Sequence, residues 1–143
     1  MANYQIVDNI GPYGFRDCDN LALTSLPSGL TTISDNAFGG CKKLALIELP
    51  SGLTSIGSSA FYKCPLKLTE LPSGLTSIGD SAFHSCTTLT ELTFKGTPTT
   101  INANAFKGCT NLTEINVPWA EGEVANAPWG ATNATINYNY TGG

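Results

Sequence analysis

The sequence is short of charged residues, which make up 13% of its 143 positions, against about a quarter in an average soluble domain. Cationic residues are the scarcer sign, with seven Lys and Arg against eleven Asp and Glu, and the formal net charge is −4. A chain so poor in cations lacks the electrostatic footprint of proteins that bind nucleic acid or anionic membranes. We therefore expect neither nucleic acid nor a membrane surface as a partner.

Long hydrophobic runs are also missing. No segment approaches the roughly 20 consecutive apolar residues that span a bilayer. The first ten residues contain neither the basic start nor the apolar stretch of a classical export signal. The chain as given is therefore expected to carry no signal peptide and to insert into no membrane.

A repeat of 22 or 23 residues runs through most of the chain. Its clearest mark is a phenylalanine followed three residues later by a cysteine, and the five pairs are Phe15 and Cys18, Phe38 and Cys41, Phe61 and Cys64, Phe83 and Cys86, and Phe106 and Cys109. We number five units by these cysteines, so that unit 1 begins at Cys18. Each unit has an apolar segment, and these segments end at Leu26, Leu49, Leu71, Phe94 and Val117. An isoleucine follows in four units, at Ile33, Ile56, Ile78 and Ile101.

One such unit is too short to bury its own apolar side, so neighbouring units must stack and share one core. The sequence therefore predicts a mainly β solenoid with short parallel strands on one face, turns, and at most short helical turns. We expect a single domain over residues 1–143, with an N-terminal half repeat (1–18), central repeats (19–117) and a C-terminal cap (118–143). The residues expected to close the two ends are Ile10, Phe15, Trp119, Val124, Trp129, Ile136, Tyr138 and Tyr140.

The five cysteines occupy one repeat position, each beside a phenylalanine of the predicted core. Their number is odd, and a buried free cysteine behaves as a small apolar residue. We therefore predict a column of buried, reduced thiols, with oxidation of one neighbouring pair as the less favoured alternative. A linear column without a Cys-x-x-Cys pair does not suit the tetrahedral coordination of zinc.

Signals for catalysis are sparse. His84 is the only histidine, and the same repeat position elsewhere holds Arg, Gly, Tyr or Lys, a variety that is typical of a solvent-facing loop. The strand segments place glutamates in two columns, which superficially resemble the paired carboxylates of glycosidases. A flat strand surface without a cleft offers nothing to raise the pKa of either partner. We therefore expect that the chain is not an enzyme and that it binds no metal and no cofactor.

The apolar segment of each unit predicts a short strand, and alternation assigns its two faces. The side chains expected to face solvent are Leu23, Leu46, Leu68, Glu91 and Glu114. Those expected to point inward beside them are Thr24, Ile47, Thr69, Leu92 and Ile115. A local slip of register, which turns Leu23 and Leu68 inward, is the alternative. Leu46 argues against that slip, because Ile47 already fills the inward place.

An exposed row of three leucines would form an apolar stripe of the kind that marks a contact surface. We therefore expect a partner-binding surface on this face of the strands. Its predicted residues are Leu23, Leu46, Leu68, Ser25, Glu48, Glu70, Glu91 and Glu114. The glutamates would favour a partner with a basic or neutral surface.

Two phrases recur in the repeat, Cys-x-x-Leu-x-x-Ile-x-Leu-Pro and Leu-Thr-Ser-Ile-Gly-x-x-Ala-Phe-x-x-Cys. This pattern resembles the BspA-like leucine-rich-repeat family, found in surface and secreted proteins of host-associated bacteria. The ending from Val117 onward resembles the terminator of such modules in gut-bacterial surface proteins and in phage structural proteins. The resemblance implies a right-handed leucine-rich-repeat superhelix that mediates adhesion and protein or host-surface binding. It supplies no catalytic residue.

The missing export signal departs from what a free-standing secreted adhesin requires. We therefore favour a virion component, such as a tail, fibre or decoration protein, assembled in the host cytoplasm. The alternatives are a fragment of a secreted or cell-surface bacterial adhesin and a purely structural spacer. The expected partners are a protein or a cell surface, and self-association or virion assembly would use the same kind of surface.

Overall fold

The computed structural model describes residues 10–142, which form a solenoid of about five turns held together by parallel strands. The strands are β1 Thr32–Ile33, β2 Ser55–Ile56, β3 Glu70–Leu71, β4 Ser77–Ile78, β5 Glu91–Phe94, β6 Thr100–Ile101, β7 Glu114–Asn116 and β8 Thr135–Asn137. No helix occurs within residues 10–142, so none there is long and apolar enough to cross a membrane. The predicted β solenoid is confirmed.

The strands form two parallel sheets. The first sheet has the order β1-β2-β4-β6 and the second has the order β3-β5-β7-β8. In the first sheet the isoleucines pair directly, as Ile33 with Ile56 and Ile78 with Ile101. Strands were expected on one face of the solenoid. This expectation was incomplete, because the isoleucine column lies in a second parallel sheet.

The turns that join the first sheet to the next apolar segment carry the phenylalanine column. Backbone N–H groups of one turn donate to carbonyls of the next, as Phe38 does to Ala60 at 2.9 Å. This keeps the rings in register, and Phe38 and Phe61 stack with centroids 5.6 Å apart and planes 1° apart. The four rings from Phe38 to Phe106 are fully buried, whereas Phe15 at the end of the stack is half-buried.

The cysteine column lies beside these rings. All five cysteines are free thiols, four of them buried and Cys18 half-buried. Each buried thiol donates to the carbonyl of the phenylalanine one unit earlier, as Cys64 Sγ does to Phe38 O at 3.0 Å. The predicted column of cysteines is thus present and its four later members are buried, whereas their reduced state stays a prediction. Every buried thiol therefore has a hydrogen-bond partner inside the core.

Five of the six C-terminal residues predicted to close the core are packed against it, Tyr140 not being among them. Trp119, Val124 and Trp129 are buried, and Ile136 and Tyr138 are half-buried against the same core. Trp119 meets Phe94 edge to face, with centroids 5.3 Å apart. At the other end, Ile10 forms a parallel bridge with Ile33. Residues 1–9 of the expected N-terminal half repeat, and Gly143, lie outside the described residues.

Candidate functional site

The predicted partner surface is the outer face of the second sheet and of the equivalent segments in units 1 and 2; we call it the strand face. The structure corrects its apolar part. Leu46 and Leu68 are buried, with exposures of 0% and 2%, and Leu23 is half-buried against the core. The expected stripe of exposed leucines is therefore wrong, and the alternative slip of register is what the chain adopts.

The same correction applies to the neighbouring positions. Ile47, expected to point inward, is 56% exposed, and Thr24 and Thr69 are exposed as well. The physical reason is the spacing of the buried leucines. Leu46 and Leu49 are three residues apart, so they cannot both lie inward in a regular strand of period two. The segment around them accordingly forms no regular strand and is tied to unit 1 by the bond from Ile47 N–H to Thr24 O, 2.9 Å long.

The predicted alternation of inward and outward side chains does hold in units 4 and 5. Leu92 and Ile115 are buried, as predicted, and Glu91 and Glu114 lie on the outer face, exposed and half-buried respectively. The two glutamates pair directly in register between β5 and β7. Glu48, Glu70 and Ser25 are exposed on the same face in the earlier units.

A ladder of side-chain hydrogen bonds crosses the strand face between β5, β7 and β8. Asn116 donates through Nδ2 to Glu91 Oε2 at 2.8 Å and to Thr93 Oγ1 at 3.0 Å. Asn137 donates to Glu114 Oε1 at 3.0 Å and to Asn116 Oδ1 at 2.8 Å. Asn116 is 2% exposed, and these bonds satisfy its amide. This ladder was not predicted from the sequence, although Asn116 and Asn137 occupy equivalent positions in neighbouring coils.

The middle of the strand face combines an apolar side chain with charges. Ile47, Glu48, Glu70, Thr69 and Lys95 line one shallow depression there. Lys95 Nζ lies 3.6 Å from Glu70 Oε2, with both side chains more than half exposed, so the pair contributes little to stability. Ile47 is thus a largely exposed apolar side chain, beside Leu49, Leu71 and Pro72, in a surface whose charged residues are mainly acidic.

The groups considered for chemistry are separated in the fold. His84 is half-buried instead of fully exposed, packs on Tyr62 with ring centroids 5.1 Å apart, and has Ser85 Oγ 2.8 Å from its Nδ1. Residues 10–142 hold no group of three His, Cys, Asp or Glu side chains suited to a metal.

Comparison with known proteins agrees with this architecture. A family model described as "BspA type Leucine rich repeat region" matches residues 8–126 in six copies. No curated protein matches the sequence.

Solved structures give the same result. A leucine-rich repeat protein from Bacteroides ovatus is 35% identical with a TM-score of 0.67, covering 77% of this chain and 29% of that one. The T. pallidum Leucine Rich Repeat protein is 32% identical with a TM-score of 0.68, covering 94% and 64%. A leucine rich cell surface protein from Faecalibacterium prausnitzii shares the fold at 23% identity, TM-score 0.58, covering 76% and 38%. The chain thus spans less than two thirds of each matched protein.

Proposed function

Since the chain belongs to the BspA-type leucine-rich-repeat family, we propose that it is a non-enzymatic binding module whose strand face attaches to a protein on another surface. The observation that carries this proposal is the exposure of Ile47 among Glu48, Glu70 and Thr69. Ile47 is a large apolar side chain that is 56% exposed, so its burial under a partner would favour binding. Its burial would contribute about 1 to 2 kcal/mol.

The partner that fits this face has a neutral or basic contact surface. Four glutamates lie along the face, at Glu48, Glu70, Glu91 and Glu114. Lys95 is the one cation paired with them in the described residues, through Glu70. An acidic rim around an apolar contact speeds the encounter with a positively charged partner and excludes acidic ones.

The setting that we prefer is a bacterial cell surface, where the chain would be a module or fragment of an adhesin. Support comes from the matched solved structures, which are bacterial and include one described as a cell surface protein. The virion component favoured from the sequence alone has no such support and becomes the second candidate. A purely structural spacer is the third, and it predicts that no substitution on the strand face changes any binding.

The experiment is a binding assay with three immobilised probes: collagen, laminin and, as an acidic probe that this face should exclude, intestinal mucin. We expect the wild-type chain to bind collagen or laminin more strongly than mucin, and Ile47→Ser or Glu48→Lys with Glu70→Lys to weaken that binding at least fivefold. Glu121→Lys, a matched charge reversal on the exposed part of the cap, is the control and should bind like wild type. Absence of binding to every probe, or equal binding by all variants, would contradict the proposal.

A further inference from the structure

The C-terminal end of the solenoid carries no charged side chain. The last charged residue of the sequence is Glu123, and none occurs from Val124 to Gly143. The chain before this point holds all seven Lys and Arg and all eleven Asp and Glu, and its formal net charge is −4. Contact between two copies of the chain at this end therefore brings no like charges together, whereas contact between two strand faces would bring their glutamates together.

The second sheet finishes at this end in an open strand. β8 is the last strand in the order β3-β5-β7-β8, and in the described part of the chain β7 is its one partner. Thr135 N–H donates to Thr113 O at 2.8 Å, and Asn137 O accepts from Val117 N–H at 2.9 Å, so both residues of β8 turn their backbone groups towards β7. Successive residues of a strand point these groups to opposite sides. The N–H and C=O of Ile136 therefore point away from β7, and no described residue bonds to them.

The usual protections of a strand edge are missing from β8. Natural proteins place Lys or Pro on such an edge, or cover it, so that another chain does not pair with the open groups. Residues 135–141 contain no Lys, no Pro and no acid. The backbone that follows β8 is bonded to the preceding coil, where Asn139 N–H donates to Trp119 O at 2.8 Å and Tyr140 N–H donates to Val117 O at 2.9 Å. The edge of β8 is therefore a template for a further strand.

The apolar column behind this edge is also incompletely covered. Leu92, Ile115 and Ile136 are aligned by the register of β5, β7 and β8. Leu92 and Ile115 have a coil on each side and are 0% exposed, whereas Ile136 has a coil on one side and is half-buried. Tyr138, which packs on the same core, is half-buried as well. A further layer on this end would therefore bury apolar surface, which favours association.

The opposite end of the solenoid does not complement this one. The first described turns carry the exposed side chains of Arg16, Asp17 and Asp19. A head-to-tail contact would place these charges against a neutral surface, away from water, which is costly. Contact between two C-terminal ends has no such cost, and a two-fold axis makes the same patch its own partner. The occupant that fits this end is therefore a second copy of the chain.

We propose that two copies of this chain associate through their C-terminal ends, with the two β8 strands paired antiparallel about a two-fold axis. When the axis passes beside Ile136, the two Ile136 residues exchange both of their backbone hydrogen bonds. Ile136 and Tyr138 of each copy are then covered by the other copy. This inference goes beyond the proposed function, because it concerns the end of the solenoid and a second copy of the chain instead of the strand face and a foreign partner.

The test is sedimentation equilibrium of the full chain over a series of protein concentrations, at low and at high salt. We expect a monomer–dimer equilibrium that salt leaves unchanged or strengthens, because no ion pair holds the contact and salt screens the repulsion between two acidic chains. A monomer at every concentration would overturn the proposal. Growth beyond the dimer into longer assemblies, or association that salt weakens, would overturn it as well.

Variants locate the contact within the molecule. Ile136→Lys places a cation on each of the two facing strands and should raise the dissociation constant of the dimer at least tenfold. Tyr138→Lys changes a half-buried side chain in the turn after β8, so it tests the contact even if Ile136→Lys fails to fold. Thr90→Lys adds the same charge at an exposed position of unit 4 and is the matched control, which should dimerise like wild type. Unchanged dimerisation in Tyr138→Lys, or loss of the dimer in Ile47→Ser, which would place the contact on the strand face, would overturn the proposal.

Discussion

Units 1 and 2 bury their strand-face segments differently from units 4 and 5. In unit 2 the buried residues Leu46 and Leu49 are three positions apart, and Ile47 between them is exposed. In unit 4 the buried residues Leu92 and Phe94 are two positions apart and lie in β5, a regular strand. The four-residue strand therefore occurs where the buried side chains are two positions apart, although both units keep the same phenylalanine and cysteine columns.

The hydrogen bonds between polar side chains of the strand face show the same difference between units 1 and 2 and units 4 and 5. Strands β5, β7 and β8 are three or four residues long and carry the ladder of Asn116 and Asn137. Strand β3, at the boundary, has two residues. Regular strands place equivalent outer side chains about 4.8 Å apart, close enough for hydrogen bonds from coil to coil. The side-chain hydrogen bonds of the strand face accordingly lie in its C-terminal half, whereas the exposed Ile47 lies in its N-terminal half.

The largest expected effect is a loss of stability at alkaline pH. It acts on both halves of the molecule, because they share the cysteine column. Burial raises the pKa of Cys41 and Cys109 to about 11 and that of Cys64 to about 12, and it also raises the pKa of Cys86 well above its ordinary value. Unfolded thiols lose their protons near 9, so between pH 9 and 11 the folded chain holds more protons. Stability contributed by these thiols is therefore present below pH 9 and falls as the pH rises.

Chemical denaturation across this pH range measures that loss. We expect the free energy of unfolding to fall steeply above pH 9 in the wild-type chain. A variant with all four buried cysteines replaced by alanine controls for the other groups that titrate there, and it should lose much less between the same pH values. Parallel curves for the two proteins would show that the thiols are not the cause.

The next effect compares two central phenylalanines of the stack, Phe61 at the end of unit 2 and Phe83 at the end of unit 3. Phe61→Ala and Phe83→Ala each remove a fully buried ring with stacked neighbours on both sides. Each should cost about 3 to 5 kcal/mol, measured by urea denaturation. Phe15→Ala, at the half-buried end of the stack, should cost less. A much smaller loss at one central ring than at the other would mean that the halves do not share one core.

Much of this architecture was readable from the sequence, because the repeat fixes which residues are equivalent. The phenylalanine and cysteine columns, and the burial of Trp129 in the cap, follow from equivalence alone. The assignment of inward and outward side chains by alternation was less reliable, because it presupposes a regular strand and units 1 and 2 do not form one. The exposure of Ile47 depends on that local backbone.

A smaller loss of stability should distinguish the C-terminal half of the strand face, which carries the asparagine ladder, from its N-terminal half. Asn116→Ala removes an amide that donates to Glu91 and Thr93 and accepts from Asn137. Because Asn116 is buried and its partners lose a bond, we expect a loss of about 1 to 3 kcal/mol. Glu70→Gln, whose carboxylate has only the exposed contact with Lys95, is the control, with a change of less than about 1 kcal/mol. Equal losses in the two variants would remove the distinction.

The smallest expected effect is at Ile47, and its comparison with Leu92 tests the central claim most directly. Both residues stand two positions before the last apolar residue of their segments, but Ile47 is 56% exposed and Leu92 is 0% exposed. The measurement is the difference in the free energy of unfolding between Ile47→Ser and Leu92→Ser, from urea denaturation. We predict that Ile47→Ser stays within about 0.5 kcal/mol of wild type, while Leu92→Ser loses at least about 3 kcal/mol. Similar large losses in both variants would show that units 2 and 4 bury the same position, and would contradict the account.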